Sequence, residues 1–124
     1  MSISNIRSNY YRIRLANVLT DSTHGEMSSF EIICVRVHDS LGNEGLGYTY
    51  TVGAGGEAIK NIIDKDLKPI LINEDENLIE YLWKKMWWHL HYVGRGGLPV
   101  FAISAIDIAL WDLKSKKINL PLWI

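Results

Sequence analysis

The amino-acid sequence predicts one α+β domain, in which a three-stranded antiparallel β-meander is followed by a helical bundle packed on one face of the sheet. Two observations support this prediction. Up to about residue 52 the apolar residues alternate with a period of two, which is typical of strands. Beyond that point they recur with a period near 3.6, which is typical of amphipathic helices. The 124 residues suit a single domain with a core large enough to fold alone.

The first strand is predicted around residues 10–15, where Tyr11, Ile13 and Leu15 alternate with a tyrosine and two arginines. This alternation predicts a half-buried strand. The segment that follows, VLTDSTHGEMSS over residues 18–29, is polar and rich in turn-forming residues. It is predicted to be a loop longer than a hairpin requires.

The second and third strands are predicted to form a hairpin. The segment FEIICVRVHD, residues 30–39, is dominated by β-branched residues and is predicted to be a strand. Its recurring apolar face consists of Ile33, Val35 and Val37. DSLGN, residues 39–43, predicts a type I turn. The return strand EGLGYTYT places Gly45 and Gly47 on one face, which indicates that another element packs closely there.

Three helices are predicted after the meander. The glycine-rich segment VGAGG, residues 52–56, is predicted to be a loop that opens the first helix. The segment DLKPILI, residues 66–72, is predicted to end that helix, with Pro69 as the break. Asn73, followed three residues later by Glu76, predicts a capping box for the second helix. Pro99 suits the first turn of the last helix.

Composition narrows the possible functions. The net charge of −1 argues against binding to nucleic acid or to a membrane surface, because both require a basic face. The single cysteine, Cys34, excludes an internal disulfide and suits a cytoplasmic protein. The sequence has no apolar leader at its N-terminus and no run of the ~20 apolar residues that a membrane span needs. A cytoplasmic location is therefore expected.

Individual motifs are better explained by structure than by chemistry. GAGGE and GRGG are glycine-rich, but neither has the spacing of a nucleotide-binding loop, so tight turns are expected. His89 and His91 lie two residues apart on a predicted helix, where they point in different directions and cannot share a metal ion. No catalytic residue and no metal ligand are assigned within the chain.

The last stretch, AISAIDIALWDLKSKKINLPLWI over residues 102–124, predicts a helix that is apolar on nearly every side. Asp107 and Asp112 interrupt it and are expected to have ion-pair or backbone partners. Together with YVGRGG before it and GLGYTYTVGAGG at the third strand, this stretch resembles the mandelate racemase / muconate lactonizing enzyme branch of the enolase superfamily. The sugar-acid dehydratases of that branch are the most similar.

The resemblance implies that residues 1–124 form an enolase-like N-terminal capping domain, and that the TIM-like barrel which follows it in the family is absent from this chain. In the family the barrel binds Mg²⁺ and supplies the bases that remove a proton next to a carboxylate. The chain alone is therefore expected to be non-catalytic and to hold no cofactor. Its expected partners are a barrel domain, in cis or in trans through the final helix, and further copies in a homo-oligomer.

The resemblance also implies a substrate site. In the family, the first loop and the loop after the third strand, here Thr20 to Ser28 and Tyr48 to Gly56, cover the barrel mouth and select the substrate, here expected to be an acid sugar. The candidate substrate-binding residues are Thr23, His24, Tyr48, Tyr50 and Arg95. His24 is expected to hydrogen-bond a hydroxyl or carboxylate, and the tyrosines are expected to line the pocket.

Two other interpretations stay open. The chain could be a stand-alone binding module that dimerises, or that docks on a separate barrel chain, through its final helix. It could also be a truncated gene product without function. A stable dimer would favour the module, and rapid degradation would favour the truncated product.

Overall fold

The computed structural model describes residues 1–124 and has the predicted α+β architecture. The strands are β1 (Ile3–Asp21), β2 (Gly25–Asp39) and β3 (Glu44–Thr51), and the helices are α1 (Gly56–Asn61), α2 (Lys68–Leu71), α3 (Ile79–Leu90) and α4 (Leu98–Lys117). One turn of π-helix, Ile62–Leu67, joins α1 to α2. The strands form one antiparallel sheet in the order β1-β2-β3, which confirms the predicted meander. No helix combines the length and apolarity needed to cross a bilayer.

The core lies between one face of the sheet and the helices. Twenty buried apolar residues form a single cluster, as expected for one domain. The central strand β2 directs its three predicted core residues into this cluster, and all three are fully buried. The helices supply most of the rest, including Ile59, Ile63, Leu82, Met86 and Ile106. The inward face predicted for β2 is therefore confirmed.

Helix α4 packs directly on β3. A Cβ atom added to Gly45 would lie 2.0 Å from the carbonyl oxygen of Ala109, and one added to Gly47 would lie 2.0 Å from that of Ala105. Any side chain at either glycine would therefore hold the helix away from the strand. The close packing predicted from the alternating glycines is confirmed.

The predicted long loop over residues 18–29 is wrong. β1 and β2 continue past the end of β3 as a two-stranded ribbon, with Leu19 opposite Met27 and Asp21 opposite Gly25. Residues 22–24 form the turn at its tip. A ribbon that is exposed on both faces needs backbone pairing but no apolar alternation, so polar residues form strand here. The register shifts between Arg14 and Leu19, where the ribbon leaves the sheet.

The first strand is longer than predicted and is buried in a different part. It begins at Ile3, and the residues of β1 that enter the core are Ile3 and Ile6. Tyr11 and Ile13, which were expected on a half-buried face, are 50% and 47% exposed on the side of the sheet away from the helices. Tyr10, on the other face of the strand, packs against the core instead. The alternation of Tyr11 and Ile13 therefore marks the outer face of the sheet and not the core.

Pro69 does not end the first helical segment. It lies in the first turn of α2, after the π-helical turn, and the helical segment runs on to Leu71. In a regular α-helix the proline ring would clash with the carbonyl group four residues before it. Here a π-helical turn precedes Pro69, with the Lys68 N–H bonded to the carbonyl oxygen of Ile63, and this wider turn lets the chain continue. The predicted break at Pro69 is therefore wrong, whereas the prediction that the helix ends within residues 66–72 is confirmed.

The capping box predicted from Asn73 and Glu76 is also wrong. Asn73 has a positive φ of 69° and donates its backbone N–H to the carbonyl oxygen of Ile3 at 2.9 Å. Helix α3 begins only at Ile79, without a side-chain cap. The carboxylate of Glu76 is instead buried and forms an ion pair with Lys117 at the end of α4.

The two carboxylates within α4 behave differently. Asp112 accepts a hydrogen bond from the backbone N–H of Leu46 at 2.7 Å and forms an ion pair with Lys116 at 2.6 Å, as expected. Asp107 has neither a hydrogen-bond donor nor an ion-pair partner. The expectation of a partner for Asp107 within the chain is wrong, because its side chain points toward a groove rather than toward the sheet.

Candidate functional site

Three segments meet at one end of the domain: the base of the β1–β2 ribbon, the loop 52–55 after β3, and the loop 91–97 before α4. A Cβ atom on Gly53 would lie 3.6 Å from the backbone oxygen of Ser29 at the ribbon base. One on Gly55 would lie 3.3 Å from the Cδ2 atom of Leu98, the first residue of α4. Both glycines have positive φ, of 98° and 88°, which lets the loop turn back into α1.

A single buried carboxylate holds both ends of the loop 52–55. Glu31 Oε2 accepts a hydrogen bond from Thr51 Oγ1 at 2.8 Å and one from the backbone N–H of Gly56 at 2.6 Å. Glu31 Oε1 accepts from the Tyr10 hydroxyl at 2.9 Å and lies 3.5 Å from an Arg12 guanidinium nitrogen. The loop therefore has a defined position that is set from β2.

The hydrogen bonds around Glu31 determine its ionisation. Burial by itself raises the pKa of Glu31, but hydrogen bonds from Thr51, Tyr10 and the Gly56 N–H, together with the Arg12 charge, outweigh burial and lower the pKa. A lowered pKa in the folded state means that Glu31 stabilises the fold above its unfolded pKa of about 4.3. That stabilisation is lost as the pH falls through the lower, folded value.

We expect Glu31→Gln to lower the free energy of unfolding at pH 7 by about 1–3 kcal/mol. Both carboxylate oxygens of Glu31 accept hydrogen bonds, and the NH₂ group that replaces one of them in glutamine is itself a donor. The variant should also lose less stability than the parent as the pH is lowered below about 4, because the titrating group is gone. Urea denaturation across pH measures both effects. Glu57→Gln, an exposed acid in α1, is the matched control and should match the parent.

His24 lies at the tip of the ribbon and is held by Asp21. Its Nδ1 lies 2.8 Å from Asp21 Oδ2, and the backbone N–H groups of Thr23 and His24 donate to Asp21 Oδ1 at 2.8 and 2.5 Å. These hydrogen bonds, first of all the one from the His24 backbone N–H, lower the pKa of Asp21. The imidazole is therefore oriented through Nδ1, which leaves Nε2 available to a ligand.

The other predicted residues lie elsewhere at this end of the domain. Tyr48 and Tyr50 are about half exposed on the sheet face opposite the helices, where the Tyr50 ring lies 5.8 Å from the Phe30 ring. Arg95 is exposed in the loop before α4 and borders an open cleft of about 420 Å³. Tyr50 pairs with Ile32 on β2, and Ile32 lies seven residues from Gly25 at the ribbon tip. Along an extended strand this separates Tyr50 from the tip by about 23 Å. The chain by itself does not bring His24 to the tyrosines.

Sequence reasoning did not single out Glu31 or Arg12 as organising residues of this end. The sequence of β2 did contain an indication. Glu31 and Asp39 are at odd-numbered positions, as are the apolar core residues between them, so all of these side chains face the same side of the sheet. Acids at inward-facing positions of a strand are buried and need donors. Glu31 obtains donors from the loop 52–55, and Asp39 obtains them from the hairpin turn, where the N–H groups of Leu41 and Asn43 each donate at 2.9 Å.

Residues 1–124 contain no group of three or more His, Cys, Asp or Glu side chains arranged to hold a metal ion. The carboxylates at this end, Glu31 and Asp21, are already occupied by hydrogen-bond donors from the chain. They do not form a donor set for a divalent cation, which requires several free oxygen ligands.

Comparison with known proteins identifies the family of the chain and the domain of that family to which it corresponds. Residues 13–124 match the family described as mandelate racemase / muconate lactonizing enzyme, N-terminal domain. The chain is 55% identical to a 3,6-anhydro-alpha-L-galactonate cycloisomerase from Streptomyces coelicolor, over 98% of the chain and 34% of that protein. It is 40% identical to an L-talarate/galactarate dehydratase from Salmonella typhimurium, over 86% of the chain and 26% of that protein.

Solved structures agree. A racemase from Streptomyces coelicolor with bound magnesium superposes with a TM-score of 0.92 at 55% identity, covering 94% of the chain and 32% of that structure. The L-talarate/galactarate dehydratase from Salmonella typhimurium, liganded with Mg and L-lyxarohydroxamate, superposes with a TM-score of 0.88 at 34% identity, covering 97% of the chain and 32% of that structure. The chain thus spans about a third of the length of these proteins.

Proposed function

The chain belongs to the mandelate racemase / muconate lactonizing enzyme family as its N-terminal domain, and on this premise we propose that it caps the active site of a Mg²⁺-dependent enzyme acting on an acid sugar. The observation that carries the proposal is the meeting of the ribbon base with the Glu31-anchored loop at one end of the domain. A fixed loop beside a projecting ribbon suits a lid that excludes water and selects the substrate.

The relatives support the substrate class. The two most informative are named for 3,6-anhydro-galactonate and for talarate or galactarate, all of which are sugar acids. The reaction is proton abstraction next to a carboxylate, completed as a dehydration, a racemisation or a cycloisomerisation. The identity of 55% to the cycloisomerase makes that substrate the first to test.

The metal is assigned to a barrel outside residues 1–124, because the carboxylates at the capping end are already hydrogen-bonded. In the family's reaction, Mg²⁺ stabilises the negative charge that develops on the substrate carboxylate after proton removal. The capping domain contributes binding and orientation. No proton transfer is assigned to any of its residues.

Each of the five candidate residues has its own role in substrate binding. His24 Nε2 hydrogen-bonds a substrate hydroxyl or carboxylate, and Asp21 keeps its ring oriented through Nδ1. Thr23 offers a hydroxyl beside it at the same ribbon tip. Tyr48 and Tyr50 form an apolar wall, and Arg95 contacts a carboxylate. These groups converge only when the ribbon, the sheet and the loop before α4 surround a barrel mouth.

We expect His24→Ala to raise the KM for the sugar acid about tenfold or more and to change kcat less, because the lost hydrogen bond contributes to binding. The measurement uses residues 1–124 fused in place of the N-terminal third of the Streptomyces coelicolor cycloisomerase. Ser22→Ala, in the same turn, is the control and should keep the parental KM. Equal KM values for His24→Ala and Ser22→Ala would remove His24 from the site.

The exposed apolar side chains of α4 favour one alternative, a stand-alone module that dimerises or docks on a separate barrel chain. In that case the isolated chain would be a stable dimer in sedimentation experiments, and substitutions on α4 such as Phe101→Ser would make it monomeric. Rapid degradation of the pure chain would instead favour a truncated product without function.

A further inference from the structure

Arg12 differs from the other arginines of the domain because it is held in place by the chain and is also open to solvent. Its guanidinium lies 3.5 Å from the buried carboxylate of Glu31, while 58% of its side chain stays exposed. Of the other arginines only Arg36 forms an ion pair, and its partner Glu44 is itself exposed. Arg12 is therefore the arginine whose position a buried group defines.

The contact with Glu31 does not use the hydrogen-bond donors of Arg12. The Glu31 carboxylate already accepts hydrogen bonds at 2.6–2.9 Å from two side chains and one backbone N–H, those of Tyr10, Thr51 and Gly56. The distance of 3.5 Å to Arg12 is longer than these, and the N–H groups of Arg12 donate no hydrogen bond within the chain. A guanidinium has five N–H donors, and here they stay available to a ligand.

The position of Arg12 is the corner where the ribbon base meets the loop 52–55. A Cβ atom added to Gly53 would lie 4.0 Å from a terminal nitrogen of Arg12, so the guanidinium borders that loop. Arg14 follows on the same face of β1, and the register of the ribbon shifts just beyond it. A shift of this kind bends a ribbon, so its tip and its base can approach one ligand from two sides.

The donors at this corner, rather than its net charge, determine what it can bind. Arg12 and Arg14 carry two positive charges, and the buried Glu31 compensates one of them. Glu57, an exposed acid at the start of α1, contributes a second negative charge but forms no ion pair with either arginine. A guanidinium donates two parallel hydrogen bonds to a pair of oxygen atoms, and an acid sugar presents such oxygens along its whole length.

We propose that Arg12 is a specificity-determining residue of the capping domain, and that its guanidinium, oriented by Glu31, donates hydrogen bonds to hydroxyl oxygens of the acid sugar. This inference rests on the proposed function, because it takes the acid sugar as the ligand. The oxygens contacted are those away from the substrate carboxylate, on which the metal of the family's reaction acts. A buried carboxylate behind an exposed arginine provides the support that precise positioning of a binding group requires.

The test uses the fusion in which residues 1–124 replace the N-terminal third of the Streptomyces coelicolor cycloisomerase. We expect Arg12→Met to raise the KM for the sugar acid about 10- to 100-fold and to change kcat less, because charge-assisted hydrogen bonds to the substrate are lost. Arg12→Lys keeps the charge but not the forked donors, so its KM should lie between those of Arg12→Met and the parent. Arg7→Met, which changes an exposed arginine on the opposite face of β1, is the matched control and should keep the parental KM.

A purely structural role for Arg12 predicts a different pair of results. It would lower the Tm of the chain substantially and leave the KM unchanged. We expect Arg12→Met to lower the Tm of the isolated chain by no more than about 4 °C, because Arg12 is exposed and Glu31 keeps its three hydrogen bonds. A KM for Arg12→Met equal to that for Arg7→Met would overturn the proposal.

A second measurement needs no substitution. The parental fusion is treated with phenylglyoxal, which modifies exposed arginines, and the modified peptides are quantified by mass spectrometry with and without the sugar acid. We expect the sugar acid to slow the modification of Arg12 several-fold and to leave that of Arg7 unchanged. Equal protection of both arginines, or of neither, would contradict a contact between Arg12 and the substrate.

Turnover by the parental fusion separates this inference from the proposed function. A parent that converts the sugar acid, together with a parental KM for Arg12→Met, would refute the role of Arg12 and leave the capping function standing. A folded parent without turnover would refute the capping function, and the role of Arg12 with it.

Discussion

Replacing Gly47 with alanine is expected to destabilise the domain by about 3 kcal/mol or more. The added Cβ would lie 2.0 Å from the carbonyl oxygen of Ala105 and 2.6 Å from the backbone nitrogen of Ala109. Both atoms belong to the backbone of α4, so no side-chain rotation relieves the clash and the whole helix must move. Because α4 also supplies much of the core, its displacement loosens packing along its length.

Gly96→Ala is the matched control for Gly47→Ala. A Cβ atom at Gly96 meets no other atom within 4 Å, and Gly96 is not among the glycines with positive φ. Its stability should therefore stay within about 0.5 kcal/mol of the parent. Urea denaturation monitored by circular dichroism measures both variants. A Gly47→Ala protein as stable as Gly96→Ala would contradict the close packing of α4 on β3.

Lys117→Met is expected to cost about 3–5 kcal/mol, the range for removing one partner of a buried ion pair. The Lys117 ammonium forms an ion pair with Glu76 and lies 3.4 Å from Asp39 Oδ2, and both carboxylates are almost completely buried. Burial lowers the pKa of Lys117, but hydrogen bonds to and the charges of Glu76 and Asp39 outweigh burial and raise it. Methionine keeps the volume but leaves two buried carboxylates without their cation.

Lys116→Met is the matched control for Lys117→Met. Lys116 is about half exposed and pairs with Asp112 on the helix surface, so its loss should cost about 1 kcal/mol or less. The double variant Lys117→Met/Glu76→Gln should recover part of the loss, because one uncompensated charge is removed with its partner. If Lys116→Met and Lys117→Met were equally stable, the buried cluster would not hold the end of α4 to the β2–β3 turn.

The regular parts of the fold could be predicted from sequence because their signals are local. Gly45 and Gly47 alternate with large residues, which predicts a flat face for a helix, and the change of period near residue 52 marks the passage from sheet to helices. The ribbon was missed for a physical reason. Its strands are held by backbone pairing between residues such as Leu19 and Met27, and a ribbon exposed on both faces leaves no pattern in side-chain polarity.

The helix boundaries that failed depend on distant contacts. Glu76 looked like a capping residue from its spacing to Asn73, but Lys117, more than forty residues away, takes its carboxylate into a buried ion pair. Pro69 looked like a helix end, but the π-helical turn before it lets the chain continue. Neither contact leaves a trace in the neighbouring sequence, so local rules could not find them.

The candidate site was predictable only in part. His24, Tyr48, Tyr50 and Arg95 were chosen from the resemblance to a family, and they lie on three segments that the chain alone does not close around one point. Glu31 and Arg12, which fix the loop beside them, were overlooked although the inward parity of Glu31 on β2 was readable. Under the proposed function, the remaining geometry depends on a barrel domain outside these 124 residues, so it cannot follow from their sequence.

We propose that this chain caps a catalytic barrel and is not itself the catalyst. The most direct test is turnover of 3,6-anhydro-α-L-galactonate by the chain alone and by the fusion in which residues 1–124 replace the N-terminal third of the Streptomyces coelicolor cycloisomerase. We predict no turnover by the chain and Mg²⁺-dependent turnover by the fusion, abolished by EDTA and restored by Mg²⁺. Turnover by the pure chain, or a folded fusion that converts no sugar acid, would contradict the proposed capping function.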